Sequence, residues 1–524
     1  ARNPSRFLSY VLSRVSGAWK YEPEHLNQLS AAACQLINAC FEDFHEGDIP
    51  VDYHVHVMGL GVDGTGCTVS PSFFGSNPRK VLTGRVYMSA GGVTDLHKGD
   101  SQFIDRLTRL ARFHPSRPLH ALLAFDRHYS LDGSVDEART EFYTPNEYIY
   151  NLYCENPESF LPVMSVHPFR PDAVQEVEKW ALKGVRMMKW LPNAMNIDPS
   201  SERCVPVYMK MREHNVVLLS HAGEEKAVDS QRFQRLGNPL LLRRALECGV
   251  RVIIAHCASL GKNKDLDHPQ QPVVSNFSLC LRMLREERWK GLLFADISAI
   301  MLRNREQYLR PLLEATDIHD RLVYGSDYPL PCIKLLVQLK SLHKRRLITG
   351  AQRDALKEVY EYNPLLFDFM LKRCFTGPNG ERFPTSVFAM HPDLDIRPPQ
   401  HQTIVARARQ WQKFASSSLS TGTLNVKDVD ALLSPDQDSL EDVLAAPLLD
   451  AYEPVDAEEL PAVVSLPAAA SVSISGAGSR TSAATTFTSL ARGSVLTAES
   501  FLASRSIAPV PVHQRLISSE KNNP

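Results

Sequence analysis

Asp52-Tyr53-His54-Val55-His56 places two imidazoles one residue apart at the end of an apolar run, Ile49 to Val57. Alternate residues of a strand face the same side, so His54 and His56 can aim both rings at one point. Two ring nitrogens at the carboxyl end of a barrel strand are a good start for a divalent-metal site. One such pair is weak evidence on any surface strand. Three later apolar runs, however, also end in a ligand-type residue: Val216 to His221, Val250 to His256 and Arg321 to Asp327.

The elements that must position these groups follow from the same runs. Each is short, rich in leucine or β-branched residues, and followed by a helix-forming stretch such as Asn238 to Cys248. Strands alternating with helices about every 25–40 residues predict βα units and a parallel sheet. His120 to Phe125, Phe160 to Val166, Gly184 to Lys189 and Leu292 to Asp296 continue the series and bring it to eight. Eight parallel strands with polar residues at their carboxyl ends describe an α/β fold of the (β/α)8 TIM barrel type. Leu82 to Ser89 is a ninth strand candidate, read as part of an insertion between the first two barrel strands.

The barrel is expected over residues 47–390, preceded by an N-terminal helical extension over 1–46. Leu26, Leu29, Ala33, Leu36, Ile37, Cys40 and Phe41 recur at helical spacing, with Pro23 near the start. That helix is expected to pack on the barrel exterior or to close one end. Residues 391–413 read as a linker or capping segment. From 414 to 524 the only aromatics are Phe414, Tyr452, Phe487 and Phe501, and Ser, Ala, Thr and Pro dominate. Such a segment buries too little apolar surface to offset its ordering entropy, so a disordered tail is expected. Within it Val426 to Pro454 is acidic and amphipathic, a segment that could fold on a partner.

A net charge of −1 and 44% hydrophobic residues give no electrostatic reason to expect nucleic acid or an anionic membrane as a partner. No run approaches the ~18 apolar residues of a membrane span, and Phe7 to Val15 is too interrupted for a signal peptide. Ten cysteines without a CxxC pair, several in apolar context such as Cys257 and Cys280, point to a reducing, cytoplasmic compartment. Gly59-Leu-Gly-Val-Asp-Gly-Thr-Gly66 follows a strand but opens no helix and lacks GKS/T, so it reads as a flexible active-site loop rather than a phosphate cradle. His97, His114, His268, His319, His343 and His391 lie in polar loops or helices and are expected to be solvated.

The ordered set His54 and His56 on strand one, Lys189 on strand four, His221 on strand five, His256 on strand six and Asp327 on strand eight resembles the amidohydrolase superfamily. The resemblance is to its amidohydrolase-related branch, which includes aminocarboxymuconate-semialdehyde decarboxylase-like enzymes. Ser165-Val-His-Pro-Phe-Arg-Pro-Asp172, Met188-Lys-Trp-Leu-Pro192, Tyr324-Gly-Ser-Asp-Tyr-Pro329 and Tyr362-Asn-Pro-Leu-Leu-Phe367 support it, over roughly residues 45 to 390. The resemblance implies one divalent metal, Zn2+ first and Mn2+, Fe2+ or Co2+ also compatible, held by His54, His56, His221 and Asp327. It further implies that Asp327 takes the water proton while His256 polarises the scissile carbonyl or stabilises the oxyanion. In binuclear members His256 becomes a ligand and the strand-four lysine is carbamylated; Met187, Met188 and Trp190 beside Lys189 favour one metal here.

Strand-end residues expected to shape the pocket are Asp126, Arg127, His167, Arg170, Lys189, Trp190 and Asp296, with Lys189, His167, Arg170 and Trp190 as substrate contacts. The leading function is metal-dependent hydrolysis of an amide, lactone or ester bond in a small carboxylated molecule. The alternatives are nonoxidative decarboxylation of an aromatic or unsaturated acid, and a noncatalytic barrel that recruits partners through its tail. Decarboxylase-like members tend to be glycine-rich after the strand-six histidine, whereas this chain has His256-Cys-Ala-Ser-Leu-Gly261. A homodimer through exterior helices is also expected of such a barrel.

Overall fold

The computed structural model describes residues 20–71, 78–226 and 230–406, together with Ser16, Val228, Ala408 and Arg409. The expected disorder of the tail, its amphipathic segment and Phe7 to Val15 all lie outside the described residues.

Eight short strands follow one another in the predicted order: β1 Val51–His56, β2 Leu119–Leu123, β3 Phe160–Val163, β4 Met187–Trp190, β5 Val217–Ser220, β6 Val252–Ile254, β7 Leu293–Asp296 and β8 Leu322–Val323. Every pairing between them is parallel. β1, β2 and β3 form one arc, and β4 to β8 form a second. Isolated parallel bridges join the arcs, Met164 with Met188 on one side and Val55 with Tyr328 on the other. Met164 N donates to Met187 O (3.0 Å), and His56 N donates to Tyr328 O (3.0 Å). These bonds close the (β/α)8 ring.

Parity along the strands sorts the core into two layers. Val51, Tyr53, Leu161, Met187, Leu219, Ile253 and Phe294 fill the barrel interior. Met188, Trp190, Leu218, Val252 and Ala295 face outward against the helices. The amino end of the barrel is plugged by residues 389–396. Met390 N donates to Ile49 O (2.7 Å), Tyr53 Oη donates to Leu394 O (3.0 Å), and Leu394 and Ile396 are fully buried in the interior layer. Burying two such side chains contributes about 1.5–3 kcal/mol each.

The N-terminal extension folds as a 3-10 turn, Pro23–Gln28, and helix α1, Ala31–Phe41, capped by the Ser30 side chain, which accepts from Ala33 N (3.3 Å). It packs on the barrel exterior. Its partners are α2, Gly350–Tyr360, which opens on a Thr349/Gln352 capping box, and α3, Pro364–Cys374, capped by Asn363 with proline in its first turn. Phe41 stacks on Phe369 with centroids 5.1 Å apart, and Ser30 donates to Glu358.

Leu82 to Ser89 is not a strand: it lies within a helix, Pro78–Ala90. With β1 already flanked by β2 and β8 there is no free edge for a ninth strand, so the local β preference of Val81 and Val86 has nothing to pair with. His114 and His319 are buried rather than solvated. His114 sits edge-on to Phe41 and Phe369, and His319 Nε2 donates to Leu312 O (3.1 Å). Among the described residues no helix is long and apolar enough to cross a membrane.

Candidate metal centre and active site

The carboxyl ends of the strands converge on one cluster. The register of β1 against β2 slips between Asp52 and Val55, and Asp52 braces the slip by accepting from His54 N (3.1 Å) and Ser326 N (2.8 Å). Beyond it His54 and His56 meet Nε2 to Nε2 at 3.3 Å. Asp327 Oδ1 lies 3.5 Å from His54 Nε2 and 3.3 Å from His56 Nε2. Zinc–ligand bonds of 2.0–2.1 Å in a tetrahedron set the donors roughly 3.3 Å apart. The three observed separations therefore fit three corners around one divalent ion.

The tautomers can be assigned by counting donors. Asp296, at the end of β7, accepts from His54 Nδ1 (2.8 Å) and from His256 N (2.8 Å). His54 Nδ1 thus donates, and its Nε2, 3.1 Å from the donor Nζ of Lys189, accepts, the usual carboxylate–histidine arrangement behind a metal ligand. Ser298 Oγ is in close contact with Asp296 Oδ1, which requires the hydroxyl hydrogen to lie between them. The same Oγ is 2.7 Å from His256 Nδ1 and must accept from it. His256 Nε2 is therefore bare, 3.9 Å from Asp327 Oδ2. Burial holds the His256 and His221 imidazoles well below their ordinary range, so both are neutral.

Burial works against ionising Asp327, but His256, His54 and His56 around it overcome this and hold its carboxyl well below the usual range. Burial pushes Lys189 down to about 8 against the pull of Asp296 and Asp327. It remains an ammonium at neutral pH, with Nζ 3.1 Å from His54 Nε2. His221 stands beside His256, ring centroids 5.4 Å apart. It joins neither of the three-donor groups formed by His54, His56 and Asp327 or by His54, His256 and Asp296. Its Nδ1 lies 3.5 Å from Glu225, and its buried Nε2 has no partner.

The backbone here is strained. His256, Cys257 and Ala258 are three successive non-glycine residues with φ of 56°, 50° and 48°, and Ala299 and Asp327 have φ of 53° and 61°. Such conformations cost about 1–2 kcal/mol each for most side chains and concentrate at functional sites. The segment that begins at His256 is thus bent left-handed without glycine at these three positions.

Of the expected substrate contacts, only Lys189 is brought into the cluster. Trp190 is fully buried on the outer face, where its Nε1 donates to Val166 O (2.8 Å). His167 is committed to Met195 O and Phe169 N. Arg170 is committed to Asp126 and Asp172. The glycine-rich loop is tied down by Asp100, whose carboxylate accepts from Gly61 N (2.9 Å), Thr65 Oγ1 (2.5 Å) and Leu60 N.

Two groups do more than the sequence assigns them. Asp296, expected to shape the pocket as a strand end, works with Ser298 to hold the His54 and His256 rings, and Asp-x-Ser after an apolar run is its legible signal. Arg305 lies in the loop Leu302-Arg-Asn-Arg305 and reads there as a solvated charge. It is 7% exposed, donates from Nη1 to Ser259 Oγ (3.1 Å), and makes no ion pair among the described residues. Its Nε has no partner. Burial lowers its pKa while Asp327, Glu225 and Asp296 act against that. The guanidinium therefore stands close to the cluster with bonding capacity to spare.

A parallel eight-stranded barrel whose carboxyl ends gather imidazoles and a carboxylate defines a metal-assisted enzyme class. The family model for amidohydrolases matches residues 51–364. The chain belongs to the amidohydrolase family, whose members use a divalent metal. No curated protein matches it. Among solved structures it is similar to an uncharacterized TIM-barrel protein from Bordetella bronchiseptica, at 13% identity and a TM-score of 0.37, covering 62% of this chain and 99% of the other. It is also similar to 5-carboxyvanillate decarboxylase from Sphingomonas paucimobilis (10%, TM-score 0.34, 62% and 96%). A third is 4-oxalomesaconate hydratase from Rhodopseudomonas palustris (13%, TM-score 0.33, 70% and 100%).

Lys189 separates one metal from two. An ammonium beside His54 Nε2 opposes a bound cation, and at pH 7 shedding a proton whose pKa is about 8 costs about tenfold in affinity. Metal affinity is therefore expected to rise with pH up to about 8 and then level off. Lys189→Met should bind metal about tenfold tighter at pH 7 and lose that pH dependence. Isothermal titration with Zn2+ at several pH values checks this; loss of metal from the variant would instead mark Lys189 as a carbamylated ligand.

Proposed function

We propose that this barrel is a metal-dependent hydrolase that opens an amide, lactone or ester bond in a small carboxylated molecule. The observation that carries the reading is the triangle of His54 Nε2, His56 Nε2 and Asp327 Oδ1, with edges of 3.3–3.5 Å. These three would hold the ion, zinc by their donor types, with His256 Nε2 3.9 Å from Asp327 Oδ2 beside them. When bound, it would supply Lewis acidity that makes water a nucleophile near neutral pH.

The chain's own groups then divide the remaining work. Asp327, held ionised, accepts the proton of the attacking water and returns it to the leaving group. His256, with Nε2 bare, is a second proton acceptor rather than the carbonyl-polarising donor expected from the resemblance. The cation left at the cluster once a metal has displaced the Lys189 proton is the Arg305 guanidinium, suited to a substrate carboxylate, while the neutral Lys189 amine can still donate a hydrogen bond. Asp296 holds the His54 ring and the His256 backbone together.

The bare His256 Nε2 also bears on the alternative reaction. A decarboxylase must deliver a proton to carbon as CO2 departs, whereas the neutral imidazole here presents an acceptor. The test is metal content of purified protein by mass spectrometry, wild type beside His54→Ala/His56→Ala, followed by a lactone and ester panel read by proton release and an amide panel read by amine release. About one equivalent, lost in the double variant, together with proton or amine release supports the reading. CO2 release in its place transfers the site to decarboxylation, and absence of metal uptake by well-folded wild type overturns both.

A further inference from the structure

Away from the active site, α1 and α3 bring two thiols together. Cys40 Sγ and Cys374 Sγ are 3.9 Å apart, although 334 positions separate them in sequence. Both are buried, and both are free. They lie at the wall of a groove of about 700 Å³ between α1, the end of α3 and residues 382–386, which Arg373, Arg382 and His45 also line.

We propose that Cys40 and Cys374 are an oxidation site, a thiol pair that a hydroperoxide converts to a disulfide tying the N-terminal helix to the last barrel helix. Sulfurs 3.9 Å apart need close only to the ~2.05 Å of a disulfide, within side-chain rotation for two residues in last helical turns. Those helix ends disfavour a thiolate, and the guanidinium groups of Arg373 and Arg382 oppose them with positive charge. Either thiol can donate across the 3.9 Å contact, and with the positive charges of Arg373 and Arg382 beside it the shared hydrogen bond favours losing the first proton from Cys40 and keeping the second on Cys374. That asymmetry assigns the order of events. The Cys40 thiolate attacks a peroxide oxygen, the O–O bond breaks, and Cys40 becomes a sulfenic acid while water (from hydrogen peroxide) leaves. The Cys374 sulfur then attacks the Cys40 sulfur, expelling hydroxide that takes the Cys374 proton as a second water. Two thiols lose two electrons and two protons in total, and the peroxide accepts them.

The groove supplies access to this pair, whereas Cys257 and Cys280 are fully buried inside the outer core layer. A bond between residues 40 and 374 would close a loop containing the whole barrel, restricting the unfolded chain strongly.

The test treats the full chain with hydrogen peroxide, blocks remaining thiols with N-ethylmaleimide, and maps linked peptides by mass spectrometry without reduction. A Cys40–Cys374 linked peptide is expected, with a melting temperature higher by about 5 °C that returns on adding dithiothreitol. Cys374→Ser should lose both while melting like the reduced wild type; Cys40→Ser serves if that variant fails to fold. Alkylation of both thiols after oxidation, a sulfinic acid on Cys40 without the linked peptide, or an unchanged shift in the folded variant overturns the proposal.

Discussion

Asp327→Asn should lower kcat by at least about 10³-fold while leaving the protein folded. The substitution removes the carboxylate that lies against His54 and His56 and the group proposed to take up the water proton, and general base catalysis alone is worth about 10²–10⁴-fold. Metal affinity should fall with it, because an amide oxygen offers the ion a dipole in place of a charge. The backbone makes this variant informative. Asp327 has φ 61°, and asparagine is among the few residues that adopt the left-handed region readily. A fold failure is therefore not expected, and circular dichroism beside the kinetic and metal-binding measurements will check that. Activity within tenfold of wild type would remove Asp327 from the chemistry.

Arg305→Met should change activity and stability in opposite directions. If the guanidinium anchors a substrate carboxylate, losing a charge-assisted, two-pronged contact should cost about 10²-fold in kcat/KM, carried mainly by KM. Arg305→Lys should recover little, because an ammonium cannot present the same fork. The unliganded protein should meanwhile melt a few degrees higher, since a buried cation with no ion-pair partner among the described residues is replaced by an apolar chain of similar length. A purely structural arginine would give the reverse, a lower melting temperature and an unchanged KM. Thermal melts and steady-state kinetics on a carboxylated substrate and its methyl ester separate the two roles.

The barrel was legible because its signal is local and repeated. Each strand is a short apolar run, and the chemistry sits where the run stops, so His54, His56, His221, His256 and Asp327 could be placed without knowing any contact. Side-chain direction was legible in principle as well. Lys189 and Trp190 are adjacent on β4 and must face opposite ways, so the inward lysine already placed the tryptophan in the outer layer. The commitments of Arg170 and His167 were hidden because they depend on Asp126 and Met195, groups on other loops. Arg305 was hidden for the same reason: nothing near it in sequence says that the loop after β7 folds inward. The proton on His256 depends on Ser298, 42 residues away, and so belongs to the fold rather than to the motif.

The narrow join between β8 and β1 has a consequence for how the molecule matures. His54 and His56 belong to the three-stranded arc, whereas Asp327 leaves the five-stranded arc beside Tyr328, whose bridge to Val55 closes the ring. The donor triangle is thus assembled across a junction and does not exist in either arc alone. A chain whose arcs have formed but not met offers two imidazoles on one rim and a lone carboxylate on the other, a poor chelate. Metal uptake at the proposed triangle would then be confined to molecules that have completed the circle, so cofactor loading would double as an inspection step for the fold.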